Sequence, residues 1–369
     1  MIGLGQRGTL YARELAGGGV TRAELAAVCD ADPEALRPFR QLPCFGGWAE
    51  LIDAGRVDAL VVATPPTEHT ELALKALKAG LHLLVEKPLS PRKLDCERIL
   101  RQRERLAPAA PVLATALPLR HDPRFVRLRS LVTGGSLGRL CRIAWTVTDC
   151  FRSAAYYQER SWRTRISGEG GGLLLNQCLH QLDLWQWLFG MPSSVRAFCG
   201  FGRRHAVEVE DEVTAYFEYA GGVTGLFVAS SGEAAGTNRL EVIGDRARAV
   251  LEGEELELTR YATSTSDAVR SAGVRARGPL FTRERERIEP ARVGPRELLE
   301  NFVGGVLDGT PVIAPGHEAI AAVELANALL VSGLEERTVE LPLDGQRFVE
   351  ALDQQRSSLE NASLAEQGR

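Results

Sequence analysis

The sequence predicts two domains, an amino-terminal α/β domain with a parallel sheet and a following α+β domain with a large open antiparallel sheet. In the first third of the chain, short apolar runs alternate with amphipathic segments of helical period, as in a parallel sheet covered on both faces. From about Leu137 onward, strand-like runs follow one another across short turns, which favours antiparallel pairing. The 369 residues suffice for two ordinary domains. We expect the domains at residues 1–118 and 119–352, with a polar tail at 353–369.

The chain opens with MIGLGQRG, in which Gly3, Gly5 and Gly8 have the spacing G-x-G-x-x-G. The segment from Gly8 to Ala16 has a helical apolar pattern that ends at three further glycines. A glycine-rich loop that runs directly into a helix can bind a pyrophosphate, because the first amides and the positive end of the helix dipole face it. The opening therefore predicts a dinucleotide-binding loop, with a structural glycine turn as the alternative.

The short apolar run Ala23–Asp30 ends in an acid and predicts the next buried strand. Asp30 lies 22 residues after Gly8, near the distance of about 20 at which such folds place the acid that binds the ribose hydroxyls. A carboxylate at this place repels a 2′-phosphate, so the sequence favours NAD over NADP. An alternative role for Asp30 is to cap the helix that starts near Asp32-Pro33, and the two roles can coexist.

Only Met1 and Ile2 precede the glycine loop, although such a loop normally follows a buried strand. The first strand is central in this topology, so its loss leaves a gap in the middle of the sheet. We expect that the gene or the physical protein has further upstream residues, or that the start codon is misassigned. A chain that begins at Met1 is expected to be unstable and to bind its cofactor poorly.

The rest of the first domain continues the alternation of strands and helices. The segments are a strand in Val57–Pro66, a helix in Thr67–Gly80, a strand in Leu81–Pro88, a helix in Pro91–Arg105 and a strand in Pro111–Leu117. In parallel sheets, ligands bind at the carboxyl ends of the strands. We therefore expect the loops that follow these strands to share one rim with the glycine loop. These loops lie at Gly3–Gly8, Asp30, Ala63–Thr67 and Glu86–Pro88.

In the second domain the strand-like runs mostly alternate between apolar and polar residues. They begin at Leu137, Val207, Gly222 and Asn238, and two helical segments and a strand, TVELPL, follow toward the carboxyl end. A large open sheet exposes one face, which a second subunit commonly buries. We therefore expect a homodimer or homotetramer formed through the open sheet.

The segment that follows Gly170–Gly172 carries a distinctive set of polar residues. The three glycines permit a close backbone approach, and a helix is predicted over about 173–188. Asn176, His180 and Asp183 have the spacing i, i+4 and i+7, so they share one face of that helix. An imidazole that takes up a proton near neutral pH, beside a carboxylate that orients it, is suited to acid–base chemistry. The alternative is a polar stripe on a half-exposed helix.

Composition and charge exclude several classes of protein. The formal net charge of −4 does not indicate a protein that binds nucleic acid. No apolar run approaches the length of about 20 residues that spans a bilayer. No export signal is visible, and seven cysteines without a C-x-x-C pair favour reduced thiols in the cytoplasm. The spacing of His, Cys and carboxylates does not match a metal site. We expect no metal and no nucleic-acid or membrane partner.

Several motifs together resemble the Gfo/Idh/MocA family of NAD(P)-dependent oxidoreductases. They are GLGQRG, VCD, ATPPTEH, EKP and GGGLLLNQCLHQLD, and the similarity continues through EDEVTAYFEYAGGVTG, NRLEVIGDRARAVLE and LPLDG over nearly the whole chain. The E-K-P triplet at a strand end and the G-G-G…H-x-x-D helix are specific when they occur together. The resemblance implies a Rossmann domain followed by an α+β domain with an open antiparallel sheet, in agreement with the fold class predicted from the residue pattern.

The resemblance also implies roles for matching residues. Lys87 corresponds to the family's active-site lysine beside the nicotinamide, His180 to the histidine that exchanges a proton with the substrate hydroxyl, and Asp183 to the acid that supports it. Lysine is scarce among the 44 basic residues, as in a protein from a bacterial genome rich in G and C, and unlike arginine it can release its proton. Lys87 is therefore either the cation that stabilises an alkoxide or the base itself.

Two further positions are compared with the family. Trp162-Arg163 matches a W-R element that approaches cofactor and substrate in many members, with a surface turn as the alternative. Asn176 stands where the inositol-dehydrogenase branch has Asp. An amide binds a hydroxyl but cannot accept its proton, so Asn176 makes an inositol dehydrogenase less favoured than the sugar and nucleotide-sugar branches.

The predicted site residues fall into three groups. The catalytic residues are Lys87, His180 and Asp183. The cofactor-binding residues are Gly3, Gly5, Gln6, Arg7, Gly8, Asp30, Thr64, Pro65, His69, Glu86, Lys87, Trp162 and Arg163. The substrate-binding residues are Lys87, His121, Arg163, Asn176 and His180. For His69 the alternative is a place beside a helix cap.

The implied activity is hydride transfer between nicotinamide and a secondary alcohol or ketone of a sugar, cyclitol or nucleotide sugar. Two alternatives within the family remain open. An NAD-dependent glycoside hydrolase oxidises its sugar transiently and releases an aglycone without accumulating NADH. A non-catalytic dinucleotide-sensing regulator is the other, and the intact Lys87 and His180 argue against it.

Overall fold

The computed structural model describes residues 1–158, 164–166, 171–271, 273, 278–291 and 293–367, and the chain divides into two compact units. Unit 1 comprises Met1–His121 and Arg292–Val323, and unit 2 comprises the rest of the chain. The first boundary lies close to the expected one at residue 118, but the return of the chain to unit 1 was not expected. It occurs because Leu299 and Phe302 of the returning helix belong to the hydrophobic core of unit 1.

Unit 1 consists of short strands that alternate with helices. The strands are β1 (Val28–Cys29), β2 (Cys44–Phe45), β3 (Ala59–Val62), β4 (His82–Val85) and β5 (Leu113–Thr115). The helices are α1 (Gln6–Ala16), α2 (Pro33–Leu36), α3 (Trp48–Asp53), α4 (His69–Lys78) and α5 (Lys93–Glu104), with 3₁₀ turns at Arg37–Phe39, Pro66–Glu68 and Pro118–His121. The predicted helices after the glycine loop and around α4 and α5 are confirmed, with ends shifted by a few residues.

The parallel sheet of unit 1 is divided in two beside Met1. β1 pairs with β2, while β3, β4 and β5 pair in that order, all in parallel. Among the described residues, only Ile2 joins the two parts, through single parallel bridges to Cys29 and Val62. The strand predicted over Ala23–Asp30 is therefore confirmed only at Val28–Cys29. Residues 23–27 pair with no strand among the described residues.

Unit 2 is built on one large sheet. Its strands are β6 (Leu140–Val147), β7 (Ser194–Phe201), β8 (Glu210–Glu218), β9 (Thr224–Ser230), β10 (Asn238–Gly244), β11 (Ala247–Glu252), β12 (Glu255–Tyr261), β13 (Phe281–Arg287) and β14 (Val339–Glu340). They lie in the order β13-β12-β11-β10-β6-β9-β8-β7-β14. Within this order β6 and β9 are parallel and the other neighbours are antiparallel.

The predicted antiparallel sheet is thus a mixed, mostly antiparallel one. The chain between β6 and β9 is long and contains helices and the hairpin β7–β8, and a connection of this kind permits parallel pairing. The strands predicted within 137–150, 207–220, 222–236 and 238–260 are confirmed. β7, with the sequence SVRAFCGF, was not expected from the sequence.

The remaining helices complete the fold. They are α6 (Pro123–Thr133), α7 (Ala154–Gln158), α8 (Leu173–Asn176), α9 (Leu179–Phe189), α10 (Thr265–Ser271), α11 (Pro295–Asp308), α12 (Gly316–Leu334) and α13 (Gly345–Gln367). The residues from 353 onward, expected as a polar tail, continue α13, whose first turns are anchored by the buried Phe348 and Leu352. Among the described residues α12 has the length and composition of a membrane span, but it is mostly buried within the protein, as in a core helix.

Aromatic side chains fix α9 on the sheet of unit 2. The Trp185 ring lies 4.6 Å from the Phe217 ring and 6.5 Å from the Trp145 ring, centroid to centroid. Its indole N–H donates to the Tyr219 hydroxyl over 2.7 Å. These contacts hold the helix in one rotation about its axis, and with it the position of His180.

Candidate active site

The glycine loop has the shape of a phosphate-binding turn. Gly3 has a φ of +81°, and a Cβ at this residue would lie 2.6 Å from the carbonyl oxygen of Ala63. A Cβ on Gly8 would overlap the carbonyl oxygen of Gly3. Gly5 is the N-cap of α1 and has no side chain that could bond the first backbone amides of the helix. Because residues 5–7 are exposed, these amides are open to a ligand.

Asp30 is hydrogen-bonded both to the glycine loop and to the residue that caps the next helix. Its Oδ2 accepts the Leu4 N–H at 2.5 Å, and its Oδ1 accepts the Asp32 N–H at 2.8 Å. The N-cap of α2 is Asp32, whose carboxylate accepts the Glu34 N–H at 2.9 Å. The capping alternative for Asp30 is therefore wrong, and its carboxylate stands at the end of β1 beside the glycines; its contact with a ribose stays a prediction.

His69 lies inside unit 1, between two loops of the rim. Its Nδ1 is 2.8 Å from the carbonyl oxygen of Pro88, and its Nε2 is 3.0 Å from that of Thr64. The side chain is 1% exposed, and burial lowers its pKa. His69 is thus placed to tie the two loops together and not to present a ring nitrogen to a ligand, whereas Pro65 in the same rim is exposed.

The hydroxyl of Thr64 is another feature of this rim. Its Oγ1 is buried and has no hydrogen-bond partner among the described residues. Buried polar atoms are nearly always paired, so an unpaired one at the rim is consistent with a site for a polar ligand. The glycine loop, Asp30 and Thr64 together fit a dinucleotide.

Lys87 is positioned by its neighbours in the E-K-P triplet. It follows β4, and the Glu86 carboxylate accepts the Tyr11 hydroxyl at 2.8 Å and the Lys87 N–H at 3.2 Å. Tyr11 belongs to α1, and burial, then Glu86, raises its pKa. The helix that starts at the glycine loop therefore also fixes the backbone beside Lys87, whose side chain is half-buried.

His121 ends the first segment of unit 1. Its Nε2 is buried and lacks a hydrogen-bond partner in the described part of the chain, and burial lowers its pKa. An unpaired ring nitrogen is compatible with the predicted substrate contact, which stays a prediction. Trp162 and Arg163 lie outside the described residues.

The helix predicted over 173–188 is in fact two helices. α8 ends at Asn176 and α9 begins at Leu179. The Asn176 N–H bonds the Gly172 carbonyl in the ordinary helical way, but the Cys178 N–H reaches back five residues to the Leu173 carbonyl at 2.8 Å. This wide turn breaks the helix, so Asn176 does not share a continuous helical face with His180.

His180 and Asp183 both lie on α9, three residues apart, and therefore remain neighbours on one helix. Asp183 is buried, and its carboxylate accepts a hydrogen bond from the Gln186 side chain at 3.1 Å. His180 is half-buried. The place of both residues on one helix is as expected from the sequence, and the support of His180 by Asp183 stays a prediction.

Glu210 is a buried residue of this region that the sequence did not single out. Its carboxylate accepts the Gly172 N–H at 2.8 Å and the Leu174 N–H at 2.9 Å, and so caps the start of α8 from β8. Burial raises its pKa to about 7. The available signal was the E-D-E run, which places two adjacent buried acids at the start of an otherwise alternating strand.

A second unexpected group surrounds Asp211. Its carboxylate accepts backbone N–H groups of Arg203, Arg204 and His205, and lies 3.1 Å from the His205 Nδ1. The His205 Nε2 is 2.8 Å from the Arg152 carbonyl oxygen. His205 therefore fastens the chain after β6 to the turn before β8.

Comparisons with known proteins assign both parts of the chain to one protein family. Residues 1–107 match the model of the GFO/IDH/MocA oxidoreductase family, NAD-binding Rossmann fold, and residues 125–250 match the GFO/IDH/MocA C-terminal domain. The inositol 2-dehydrogenase of Rhizobium meliloti is 25% identical over 350 residues, covering 92% of this chain and 98% of its own. The levoglucosan dehydrogenase of Pseudarthrobacter phenanthrenivorans is 25% identical over 272 residues, covering 66% of this chain and 68% of its own.

A solved structure with the same fold is the WlbA dehydrogenase from Bordetella pertussis in complex with NADH and UDP-GlcNAcA. It superposes with a TM-score of 0.77 and 23% identity, covering 93% of this chain and 98% of that one. At this identity the likeness concerns the fold. Together with the two family models it accounts for the Rossmann sheet and for the large mixed sheet.

Proposed function

This chain belongs to the Gfo/Idh/MocA family of NAD-binding oxidoreductases, and we propose that it transfers a hydride between NAD and a secondary alcohol or ketone of a sugar, cyclitol or nucleotide sugar. It is an enzyme of the dehydrogenase class that uses NAD, and its relatives act on sugar-like substrates. The observation that carries the proposed hydride transfer is the anchoring of the Glu86-Lys87-Pro88 triplet to α1 through Tyr11.

The cofactor would be held by residues of unit 1. The open amides at the start of α1 suit a pyrophosphate, and the Asp30 carboxylate suits two ribose hydroxyls. When bound, NAD supplies the carbon that accepts or returns the hydride. The same carboxylate disfavours a 2′-phosphate, so we propose NAD as the physiological cofactor over NADP.

We propose that Lys87 and His180 together exchange the proton of the reacting hydroxyl and stabilise the charge on its oxygen. In one assignment His180 takes the hydroxyl proton, Asp183 orients its ring, and the Lys87 ammonium stabilises the alkoxide. In the other, Lys87 is the base. Both assignments need the two side chains, and they differ in which residue sets the pH dependence of the rate.

The substrate class is proposed from the relatives and from Asn176. An amide at this position can hold a hydroxyl without taking its proton, which favours sugars and nucleotide sugars over inositol. The similarity to an inositol dehydrogenase places myo-inositol in the same test. A panel of myo-inositol, levoglucosan and a UDP-linked N-acetylhexosamine uronate covers the three chemistries.

The assembly is proposed to be a homodimer or homotetramer formed through the open sheet of unit 2. Phe198, Tyr216 and Leu226 are exposed on neighbouring strands of this sheet. A second copy of the chain would remove these side chains from water.

The test is NADH formation across the panel with the wild type and with Lys87→Met and His180→Ala. We expect kcat to fall about 100-fold or more for both, the usual contribution of acid–base and oxyanion groups. The exposed Lys78→Met and His317→Ala are matched controls and should leave kcat unchanged.

The pH–rate profiles of the two variants identify the base, since its loss removes the acidic limb of the profile. If neither variant slows hydride transfer, the site is assigned wrongly. Release of an aglycone without net NADH would identify the hydrolase alternative. NAD binding with no turnover of any sugar would identify the regulator.

A further inference from the structure

Three polar side chains of unit 2, those of Arg152, Tyr156 and Gln177, contact one another beside the end of α8. The Arg152 guanidinium lies over the Tyr156 ring, with its Cζ 5.1 Å from the ring centroid. The Tyr156 hydroxyl accepts a hydrogen bond from the Gln177 Nε2 at 3.4 Å. Gln177 directly follows Asn176, the proposed substrate-binding residue at the end of α8. The three side chains therefore adjoin the part of unit 2 that is proposed to bind the substrate.

The backbone of Arg152 is fixed on both sides. Its N–H donates to the Ser231 carbonyl at 2.8 Å, and its carbonyl oxygen lies 2.8 Å from the His205 Nε2. The other ring nitrogen of His205 lies 3.1 Å from the Asp211 carboxylate, and the Tyr157 ring packs on the imidazole at 4.8 Å, centroid to centroid. An arginine on so fixed a backbone loses less conformational freedom when it binds a ligand than one on a free loop.

One edge of the Arg152 guanidinium makes no hydrogen bond to the described part of the chain. The Nη1 atom donates to the carbonyl oxygens of Phe151 at 2.9 Å and of Cys150 at 3.4 Å. The Nε atom is buried and has no hydrogen-bond partner among the described residues, and the Nη2 atom has none there either. Nε and Nη2 together form the side of the guanidinium that holds a carboxylate or a phosphate through two parallel hydrogen bonds.

The charge of Arg152 is also not neutralised by a carboxylate of the described residues. Asp149, three residues earlier, accepts a hydrogen bond from the Asn238 side chain at 3.1 Å. Asp211, on the far side of His205, accepts three backbone N–H groups. A half-buried guanidinium loses part of its hydration, and an anion that it binds would compensate for that loss.

Gln177 supplies the complementary kind of group. Its Nε2 bonds Tyr156, but its Oε1 is buried and has no partner among the described residues. An amide oxygen accepts hydrogen bonds and cannot donate one, so this atom suits a hydroxyl group. The cluster therefore offers a cationic donor edge on one side of Tyr156 and a neutral acceptor on the other.

We propose that Arg152 and Gln177 form a subsite for an acidic sugar, in which Arg152 binds a carboxylate or phosphate group and the Gln177 Oε1 accepts a hydrogen bond from a hydroxyl of the same molecule. This inference rests on the proposed function, because it names the kind of sugar that the same site oxidises. Arg152 determines specificity and transfers no proton, since a guanidinium keeps its charge. The Asp211–His205 pair positions it.

Ligands that share one ring and differ only in the charged group test the subsite. They are the methyl glucoside, its uronate and its phosphate ester at the primary hydroxyl, together with the same three forms of the methyl galactoside. Calorimetric titration of the NADH-loaded enzyme measures their Kd values without requiring turnover. In at least one series the wild type should bind an anionic form about tenfold or more tightly than the neutral form. The preferred anion identifies the group as carboxylate or phosphate.

Arg152→Gln should remove this advantage, and Arg152→Lys should keep part of it, because an ammonium retains the charge but not the two parallel donors. A folding defect would weaken binding of the neutral ligand as well, whereas loss of the subsite weakens only the anionic ones. Arg270→Gln removes one positive charge from an exposed position of α10 and should leave all Kd values unchanged. Equal wild-type affinity for anionic and neutral forms in both series overturns the proposal, as does an advantage that Arg152→Gln preserves.

The positioning role of His205 has its own test. His205→Gln keeps an N–H donor for the Arg152 carbonyl, whereas His205→Leu removes it. The ratio of neutral to anionic Kd should fall about fivefold or more in His205→Leu and stay near the wild-type value in His205→Gln. An unchanged ratio in His205→Leu would contradict the positioning role.

Failure of the subsite and failure of the proposed hydride transfer give different results. Binding of an acidic sugar that depends on Arg152, without NADH formation from NAD, would refute the hydride transfer and support the subsite. Oxidation of a neutral sugar at a rate that Arg152→Gln leaves unchanged, with no preference for acidic sugars, would refute the subsite and support the hydride transfer.

Discussion

Single buried side chains position the site by holding the backbone around it. Tyr11 and Glu86 fasten the middle of α1 to the loop that carries Lys87, and His69 lies between that loop and Thr64. Glu210 holds the start of α8 in the same way. Each of these groups acts through hydrogen bonds to a neighbour, so its removal leaves a donor or acceptor unpaired in the interior.

Asp30→Asn is expected to change the cofactor preference. The amide oxygen keeps an acceptor for the Leu4 N–H, but the negative charge that opposes a 2′-phosphate is lost. The Kd for NADH should rise about tenfold, because hydrogen bonds to a charged acceptor are worth about 1.5–3 kcal/mol. The preference for NADH over NADPH should fall. Titration of tryptophan-to-nicotinamide energy transfer measures both constants.

The control for this variant is Asp32→Asn. It makes the same change of charge two residues away and preserves the cap of α2, since Asn is as good an N-cap as Asp. Its cofactor constants should match the wild type. An equal loss of preference in both variants would mean that general charge, and not the Asp30 contact, sets the selectivity.

Glu210→Gln is expected to alter the pH dependence of stability. Burial raises the pKa of Glu210 from the ordinary 4.5 to about 7 in the folded chain. Because the folded value is the higher one, the stabilisation linked to this proton is complete below pH 4.5 and is lost as pH rises through 7. The wild type should therefore lose up to about 3 kcal/mol of unfolding free energy relative to Glu210→Gln over this interval.

Urea unfolding of both forms at several pH values measures this difference, and titrations common to the two forms cancel. Glu218→Gln, on the exposed side of the same strand, should show no such trend. A difference between wild type and Glu210→Gln that stays constant from pH 4.5 to 7 would show that the carboxylate does not titrate there.

At the scale of elements, the break between α8 and α9 determines where the polar residues stand. The sequence pattern predicts one amphipathic helix over about 173–188. The spacing of its apolar and polar residues alone does not reveal the wide turn at Cys178. The turn results from tertiary contacts, because Glu210 fixes the first amides of α8 while Trp185 fixes α9 on the sheet. The local pattern predicted a helix in this segment but not its division into two helices.

Gly172→Ala is expected to weaken the start of α8. The new Cβ would lie 2.5 Å from the Glu210 carbonyl oxygen and 2.6 Å from the Val209 side chain, so the helix must move away from β8. The expected cost is about 1–3 kcal/mol of unfolding free energy. Activity should fall as well, because the same helix carries Asn176.

Gly221→Ala is the matched control for that change. Its added Cβ would have no heavy atom within 4 Å, and it lies in a surface turn. Its urea midpoint and kcat should equal those of the wild type. If Gly172→Ala behaves like Gly221→Ala, the close approach of α8 to β8 is not a constraint on the fold.

At the scale of the whole molecule, the order of elements could be predicted because the strands and helices show a strong local periodicity of apolar residues. The alternation in unit 1 and the consecutive strands of unit 2 both follow from periodicity. The return of α11 to unit 1 and the parallel pairing of β6 with β9 were not predictable in this way. They depend on which apolar faces meet over long sequence separations, as Leu299 and Phe302 do in the core of unit 1.

The open sheet of unit 2 predicts the state of assembly. Phe198 is 64% exposed, Tyr216 lies directly opposite Leu226, and Leu226 lies beside Ala144 in the next strand. Phe198→Glu with Leu226→Glu should reduce the mass in solution to the 40.2 kDa of one chain, while the wild type sediments as a multiple. Val126→Glu, an equally polar change on the exposed part of α6, should leave the wild-type mass. A wild type that sediments as one chain would refute the proposed interface.

The position of His69 has a consequence for how the rim moves. A neutral imidazole has a single N–H, yet both ring nitrogens face carbonyl oxygens, so at any moment one loop is bonded and the other is held by packing alone. A change of tautomer transfers the bond from the Thr64 loop to the Pro88 loop without moving a heavy atom. The two loops therefore share a single N–H donor, so that His69 donates a hydrogen bond to only one of them at a time.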